Sequence, residues 1–274
     1  MLKYSYINPK GEQSISASPT FCSALSSRNP LLIDDFSDVL RECERLVRSE
    51  FSPKPGAINN VRGTWYEWLI SIGGFNICQK YSDAKRILVP LPNVISLDYP
   101  SLYKKDVYSL IQDLKEKTAA HDVNLISSNP DYVIVTKPNE LLLPDVSVID
   151  ASALKKIDDF YLKLVGTLNF ADLVGFVSIK TSLRPDRRLQ LSHEGALVKA
   201  FYEHLKSRLW ITDAAGLKYY GVSQKVGPAD IKGLKTVATH SVLSVNSVPE
   251  RAVDAVIQVS GGASLNSFLT DVLL

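Results

Sequence analysis

The clearest structural pattern of this chain lies in residues 173–195, LVGFVSIKTSLRPDRRLQLSHEG. Its first part, LVGFVSIK (173–180), has the length and the β-branched and aromatic content of a strand. Because alternate residues of a strand share a face, Ser178 and Lys180 point the same way, and the residues beside them point into the core. The sequence thus predicts a strand that carries a serine and a lysine near its end.

Helices and further strands are predicted on both sides of this stretch. Apolar periodicity favours helices at several places, namely near 34–50, from Gly63 onward in GTWYEWLISIGGF, at 104–118, near 151–168 and at 192–209. Strand propensity favours YVIVTK, and WIT and LKYYGV as a hairpin or two neighbouring strands. The segment 12–30 is predicted to be an irregular arm, and 52–60 a turn-rich loop. We therefore expect an α/β fold with a central mixed β-sheet flanked by helices.

Composition narrows the class of protein. The chain has 274 residues, 45% hydrophobic and 22% charged, with a net charge of +2, as in an ordinary globular domain. It contains no run of 18 apolar residues, so we expect no membrane-spanning helix. Three widely spaced cysteines argue against a disulfide framework and favour a reducing, cytoplasmic location. We expect one domain over 1–274, with an N-terminal arm and helix at 1–50.

Positive charge is concentrated in one segment. Residues 178–208 contain seven Lys or Arg and three acidic residues, a net +4 that leaves −2 for the rest of the chain. A local basic patch on a nearly neutral protein is typical of contacts to nucleic-acid phosphates. Taken alone, the same pattern is also that of a solvated helix face.

Two short motifs suggest a metal-dependent nuclease. Pro130-Asp131 precedes the strand YVIVTK, and Lys180 ends the next strand. A carboxylate and an ammonium at the ends of adjacent strands can hold Mg²⁺ and orient an attacking water. A capping aspartate and an edge lysine are the alternative. A second pair, Pro144-Asp145, also precedes an apolar stretch, but the residues after Asp131 favour a strand more strongly.

The second metal ligand has to come from outside the lysine strand. Nuclease motifs of this type place an acid two residues before the lysine, where this chain has Ser178. Glu194, in the first turn of the helix expected at 192–209, can supply the missing carboxylate, since a helix N-terminus favours an ionised acid.

Arg184, Asp186 and Arg187 lie between the lysine and that helix. The planar fork of arginine matches guanine O6 and N7, and aspartate can accept from cytosine N4, so the three side chains can read G·C pairs. An ion pair within a loop is the alternative.

SNPDYVIV, VSIKTSLRPDRRLQLSHEG, WYEWLI and GLKTVATHS together resemble the CCGG-recognising type II restriction endonucleases of the PD-(D/E)XK superfamily. The sequence is most similar to the members that cut purine-CCGG-pyrimidine sites. The resemblance covers about 59–250, which we expect to be the catalytic and DNA-recognition core, and it implies the PD-(D/E)XK nuclease fold.

The resemblance also implies a role for each matching residue. Asp131 and Glu194 match the metal-binding carboxylates, Lys180 the catalytic lysine and Ser178 the vacated acid position, and Glu67 matches an additional acid near the metal. The matches implied for DNA and for assembly are Arg184, Asp186 and Arg187 for the CCGG core, Asn60 for the minor groove, and Arg208 and Trp210 for a contact between dimers.

The resemblance implies a Mg²⁺-dependent endonuclease that cuts double-stranded DNA within a restriction-modification system. It implies the site R^CCGGY, 5′ four-base overhangs, and a homodimer that pairs into a homotetramer. Two rivals are a structure-selective or repair nuclease of the same fold and a catalytically silent DNA-binding protein. The repair nuclease would not need the arginine reader, and a silent binder would not need the carboxylate and lysine set.

Overall fold

A computed structural model describes residues 3–93, 95–125, 129–138, 140–243 and 248–274. Over these residues the chain forms two compact units. The first comprises Met1–Lys85, Asn139–Asp159 and Val259–Leu274, and the second Arg86–Pro138 and Phe160–Gln258. The single domain over 1–274 stays a prediction.

The strands and helices are, in chain order, β1 (Ser5–Ile7), β2 (Gln13–Ile15), α1 (Ala17–Leu25), α2 (Phe36–Arg48), α3 (Pro55–Lys80), β3 (Arg86–Pro90), α4 (Lys105–Ala119), β4 (Tyr132–Thr136), α5 (Ala151–Asp158), β5 (Leu173–Lys180), α6 (Pro185–Arg208), β6 (Lys218–Ser223), α7 (Pro228–Gly233), β7 (Ala255–Gln258) and α8 (Gly262–Leu273). The strands β4 and β5 and the helices α2 and α4 lie where the sequence predicts them.

The second unit is built on a five-stranded mixed sheet in the order β3-β4-β5-β6-β7. β3, β4 and β5 pair antiparallel, and β5, β6 and β7 pair parallel. Antiparallel pairing of Tyr132 with Val177 places the start of β4 beside the end of β5. The central mixed sheet is therefore confirmed.

Helix α6 is longer than the sequence analysis predicts. It begins at Pro185, seven residues before the predicted start, with Arg184 as the residue that precedes it. Proline suits the first position of a helix because its missing N–H has no intrahelical partner there. The helix start predicted at 192 is therefore wrong, because Arg184–Arg187 already form the N-terminus of this helix.

The first unit corrects two further predictions. The segment 12–30 contains β2 and α1 rather than an irregular arm, since Pro19 lies in the first turn of α1, where it is tolerated, and Phe21 and Leu25 are fully buried. Six of the nine residues of the loop predicted at 52–60 are helical, because Pro55 starts α3.

Three smaller predictions also change. The helix predicted near 151–168 ends at Asp158 and is followed by short 3₁₀ turns. WIT is not a strand, so LKYYGV pairs with β5 and β7 and not with a hairpin partner. Ser128, the first residue of the quoted motif SNPDYVIV, lies outside the described residues.

Helix α6 is held against the segment before β7 by two residues one turn apart. A Cβ on Gly195 would lie 2.1 Å from the carbonyl oxygen of Ala252, so only glycine allows this approach. The ammonium of Lys199, 3% exposed, donates to the Arg251 carbonyl at 2.7 Å and pairs with Asp254 at 2.9 Å. A buried charge needs such partners. Together these contacts fix the position of Glu194, the neighbour of Gly195.

Gly195→Ala is expected to destabilise the protein by about 1–3 kcal/mol or more, because the methyl group would overlap backbone. Urea denaturation measures the free energy of unfolding. Gly56→Ala is the matched control, since an added Cβ there meets nothing within 4 Å. Equal stability of the two variants would contradict the close packing of α6.

Candidate active site

Asp131 and Lys180 meet at the paired ends of β4 and β5. Asp131 Oδ2 accepts a hydrogen bond from the backbone N–H of Ile179 and one from Lys180 Nζ at 3.3 Å. The side chains are 25% and 13% exposed, respectively. The structure therefore brings together the carboxylate and the ammonium that the sequence selects.

The Asp131 carboxyl has a perturbed pKa. Burial raises its pKa, and the nearby Glu194 charge adds to the rise. The Lys180 ammonium and the Ile179 N–H act in the opposite direction. Two carboxylates thus influence each other at one place, and a bound cation would relieve their repulsion.

Glu194 is buried, with 4% of its surface exposed, and both of its oxygens accept hydrogen bonds. Oε2 accepts from Ser178 Oγ at 2.9 Å and from the Tyr219 hydroxyl at 2.8 Å. Oε1 accepts from Gln190 Nε2 at 2.8 Å. The serine at the vacated acid position therefore donates a hydrogen bond to the carboxylate that is predicted to replace that acid.

The reason given from sequence for an ionised Glu194 is wrong. Because α6 begins at Pro185, Glu194 lies in its third turn, and the influence of the helix dipole falls off within the first. Hydrogen bonds from serine, tyrosine and glutamine offset the cost of burying the carboxylate instead.

Two of these donors were not singled out from sequence. Tyr219 reaches Glu194 because β6 lies parallel to β5 with Phe176 paired to Tyr219, and no local pattern predicts that pairing. Burial and the Glu194 charge raise the pKa of Tyr219 well above its ordinary value, so it keeps its proton. Gln190 lies four residues before Glu194, a helical spacing that becomes visible once α6 is known to start at Pro185.

Arg184, Asp186 and Arg187 surround the first turn of α6. Arg184 Nη2 lies 3.2 Å from Asp186 Oδ2, and these side chains are 65% and 62% exposed. Arg187 donates to Gln190 Oε1 at 3.2 Å. The internal ion pair considered from sequence exists, but it is exposed, and such pairs contribute little to stability. The guanidinium forks are thus accessible to a ligand.

The basic segment is less exposed than its charge count indicates. Lys199 is buried in its ion pair with Asp254. Arg188 pairs with Asp230 of α7 at 3.1 Å, with the two side chains 23% and 18% exposed. These two cations fix α6 within the second unit. The most exposed cations of the segment are Arg184 and Arg187 near the start of the helix, followed by Arg208 at its end.

Three other residues of interest belong to the first unit. Asn60 and Glu67 both lie on α3, seven residues apart and therefore on one face. Their roles stay predictions. Asp145 is exposed, accepts from the Ser147 N–H, and is followed by irregular chain rather than by a strand.

The residues predicted for a contact between dimers lie just after α6 and at its end. Trp210 is 90% exposed, so it does not belong to the core of the subunit. Arg208 pairs with Asp113 of α4 at 2.7 Å, with both side chains more than a third exposed. A large exposed aromatic side chain is typical of an interface anchor.

The donor set suits a hard divalent cation. Carboxylate oxygens are the ligands that Mg²⁺ prefers, and it keeps several of its waters. Asp131 and Glu194 supply two such groups near each other. Across the described ranges, no cluster of three or more His, Cys, Asp and Glu side chains is placed to hold a metal ion.

The fold and this arrangement of side chains define a class. A mixed sheet flanked by helices, with an aspartate and a lysine at paired strand ends and a glutamate on the next helix, is the PD-(D/E)XK-type nuclease fold.

Comparisons with known proteins agree with this assignment to a nuclease fold. The pattern of the Cfr10I/Bse634I restriction endonuclease family matches residues 32–274. The type II restriction enzyme Cfr10I of Citrobacter freundii is 40% identical over 262 residues, covering 91% of this chain and 92% of that protein. The crystal structure of the type IIF restriction endonuclease Bse634I with cognate DNA has a TM-score of 0.87 at 28% identity, covering 98% and 97% of the two chains. A second Bse634I structure has the same TM-score at 30% identity, covering 98% and 96%.

The chain therefore belongs to the Cfr10I/Bse634I restriction endonuclease family. It is a type II restriction endonuclease that binds DNA. Enzymes of this kind generally depend on a divalent metal ion. None of the helices in the described ranges combines the length and the apolar character needed to cross a membrane.

Tyr219→Phe tests the support of Glu194. Removing the hydroxyl takes a donor from a buried carboxylate, so we expect the free energy of unfolding to fall by about 1–3 kcal/mol. Tyr6→Phe, on a half-exposed ring, is the control and should change it by less than about 0.5 kcal/mol. Urea denaturation measures both, and a neutral Tyr219→Phe would argue against the hydrogen bond.

Proposed function

We propose that this enzyme cleaves double-stranded DNA at a palindromic CCGG-containing site in the presence of Mg²⁺, within a restriction-modification system. One observation carries the proposal: Glu194, which shares the site of Asp131 and Lys180, lies on the helix whose first turn presents Arg184 and Arg187. A single element thus carries a group suited to phosphodiester cleavage and groups suited to reading bases.

Asp131 and Glu194 hold the Mg²⁺ in this proposal. A bound Mg²⁺ supplies a Lewis acid that stabilises the charge developing on the scissile phosphate. Lys180, held by Asp131 at 3.3 Å, orients the attacking water. Ser178 orients Glu194, and Glu67 is the additional acid. In-line attack by water leaves a 5′-phosphate and a 3′-hydroxyl.

Arg184, Asp186 and Arg187 read the CCGG core in the major groove, where each bidentate contact contributes about 1–3 kcal/mol of discrimination. Asn60 contacts the minor groove. The family recognises purine-CCGG-pyrimidine, which supports R^CCGGY as the site and cleavage before the first C, with four-base 5′ overhangs.

The two rival functions are less well supported. A repair nuclease of the same fold would not need exposed arginine forks at the start of α6. A silent DNA-binding protein would not need a buried glutamate held by three donors near an aspartate–lysine pair. We further propose a cytoplasmic location, where host and invading DNA meet the enzyme.

A palindromic site is matched by a two-fold symmetric enzyme, because each subunit then presents the same reader to one half-site. We therefore propose a homodimer at minimum. Exposed Trp210, next to Arg208, supports the pairing of two dimers into a homotetramer.

Digestion of plasmid DNA with Mg²⁺, followed by sequencing of the ends, tests the proposed function. We expect ends only at R^CCGGY, each with a CCGG overhang. Ends without sequence preference would favour the repair nuclease, and intact DNA would favour the silent binder.

Replacement of Asp131 by alanine should abolish cleavage while specific binding survives, because DNA affinity comes mainly from basic groups. Asp145→Ala is the matched control, since it changes the aspartate of the other Pro-Asp pair, and it should cut at the wild-type rate. Digestion and gel-shift assays measure the two properties. Cleavage by Asp131→Ala together with an inactive Asp145→Ala would show that Asp145, and not Asp131, is the catalytic aspartate.

Trp210→Ala should convert the tetramer into a dimer, because it removes the exposed aromatic anchor, and cleavage should lose its preference for two-site plasmids. Leu32→Ala, at another exposed apolar side chain, is the control and should remain tetrameric. Sedimentation velocity measures both. An unchanged oligomeric state in Trp210→Ala would remove this residue from the interface.

A further inference from the structure

Gln190 connects the two parts of the proposed site through both ends of its side-chain amide. Its Oε1 accepts from Arg187 Nη1 at 3.2 Å. Its Nε2 donates to Glu194 Oε1 at 2.8 Å. Spacings of three and four residues place these side chains on one face of α6. A single residue therefore contacts both a base-reading arginine and a metal-binding carboxylate.

The two oxygens of Glu194 have different surroundings. Oε2 is held inside the protein by Ser178 and Tyr219. In the part of the chain that the structure describes, Gln190 is the donor found at Oε1. Because Oε2 is fixed by two buried donors, the hydrogen bond from Gln190 determines the position of Oε1 and so the orientation of the carboxylate plane.

The side-chain amide of Gln190 suits this place because it can both accept and donate a hydrogen bond. A guanidinium offers donors only, and a carboxylate accepts only. The residue between them must accept at one end and donate at the other, which glutamine does. A glutamate at position 190 would keep the contact with Arg187 and lose the one with Glu194, and a methionine would lose both.

We propose that Gln190 is a positioning residue that couples the reading of a base by Arg187 to the orientation of the Glu194 carboxylate. The inference rests on the proposed function. Arg187 is 44% exposed, and Gln190 is also exposed, so both can move when DNA binds. A shift of Arg187 toward a base moves the amide that holds Glu194, so metal binding depends on whether the correct base is present.

Gln190→Met and Gln190→Glu test this coupling, with Leu189→Ala, at an exposed neighbour on α6, as the control. Calorimetric titration of Mn²⁺ into the enzyme with a CCGG duplex, and with a duplex altered at one G·C pair, gives a ratio of metal affinities. The Mg²⁺ concentration for half-maximal cleavage is a second readout. The urea midpoint of unfolding reports any structural damage.

In the wild type and in Leu189→Ala, Mn²⁺ should bind more tightly with the CCGG duplex than with the altered one. Both Gln190 variants should bring that ratio close to unity. Gln190→Met should also raise the Mg²⁺ midpoint by about 10- to 100-fold, the usual effect of losing a group that orients a metal ligand. Its urea midpoint should stay at the wild-type value.

A wild-type affinity ratio in Gln190→Met would overturn the inference. Loss of the ratio together with a lower urea midpoint would also overturn it, because structural damage would then explain the loss. A wild-type ratio in Gln190→Glu would overturn the need for the donor to Glu194. If the wild-type enzyme cuts only the CCGG duplex but binds Mn²⁺ equally with both duplexes, the coupling fails and the proposed function stands. If it cuts both duplexes alike or neither, the proposed function fails.

Discussion

The burial of the Glu194 carboxylate is the constraint on which the rest of the site depends. A charge at this depth is tolerated only if its oxygens accept hydrogen bonds. The donors come from three separate elements, namely Ser178 of β5, Gln190 of α6 and Tyr219 of β6. Their convergence requires the parallel β5–β6 pair and the close approach of α6, which Gly195 permits.

Helix α6 connects the buried Glu194 to the surface of the protein. Ion pairs of Lys199 with Asp254 and of Arg188 with Asp230 fix α6 along its length. Its N-terminal turn then presents Arg184 and Arg187 in a defined position relative to Glu194. In a family that must cut only at its recognition sequence, one helix that carries both the proposed reader and the proposed metal ligand is useful, because a base contact can then influence the chemistry directly.

The sequence predicts those parts of this arrangement that are local. β5 is found from its residues, and the Asp131–Lys180 contact follows because adjacent strand ends meet. Apolar periodicity predicts the start of this helix at 192 and not at Pro185, although proline is favoured at the first position of a helix. That error led to the wrong reason for the ionisation of Glu194. Tyr219 could not be found from sequence, since its role depends on strand pairing between residues more than forty positions apart.

One crystal structure can test whether α6 carries both a reader of bases and a metal ligand. It would contain the enzyme, a CCGG duplex and Ca²⁺, which can occupy an oxygen-ligand site. The account predicts Ca²⁺ bound by both Asp131 and Glu194, with Arg184 and Arg187 at guanine edges in the major groove. A metal ion held elsewhere, or a first turn of α6 that contacts only phosphates, would contradict it.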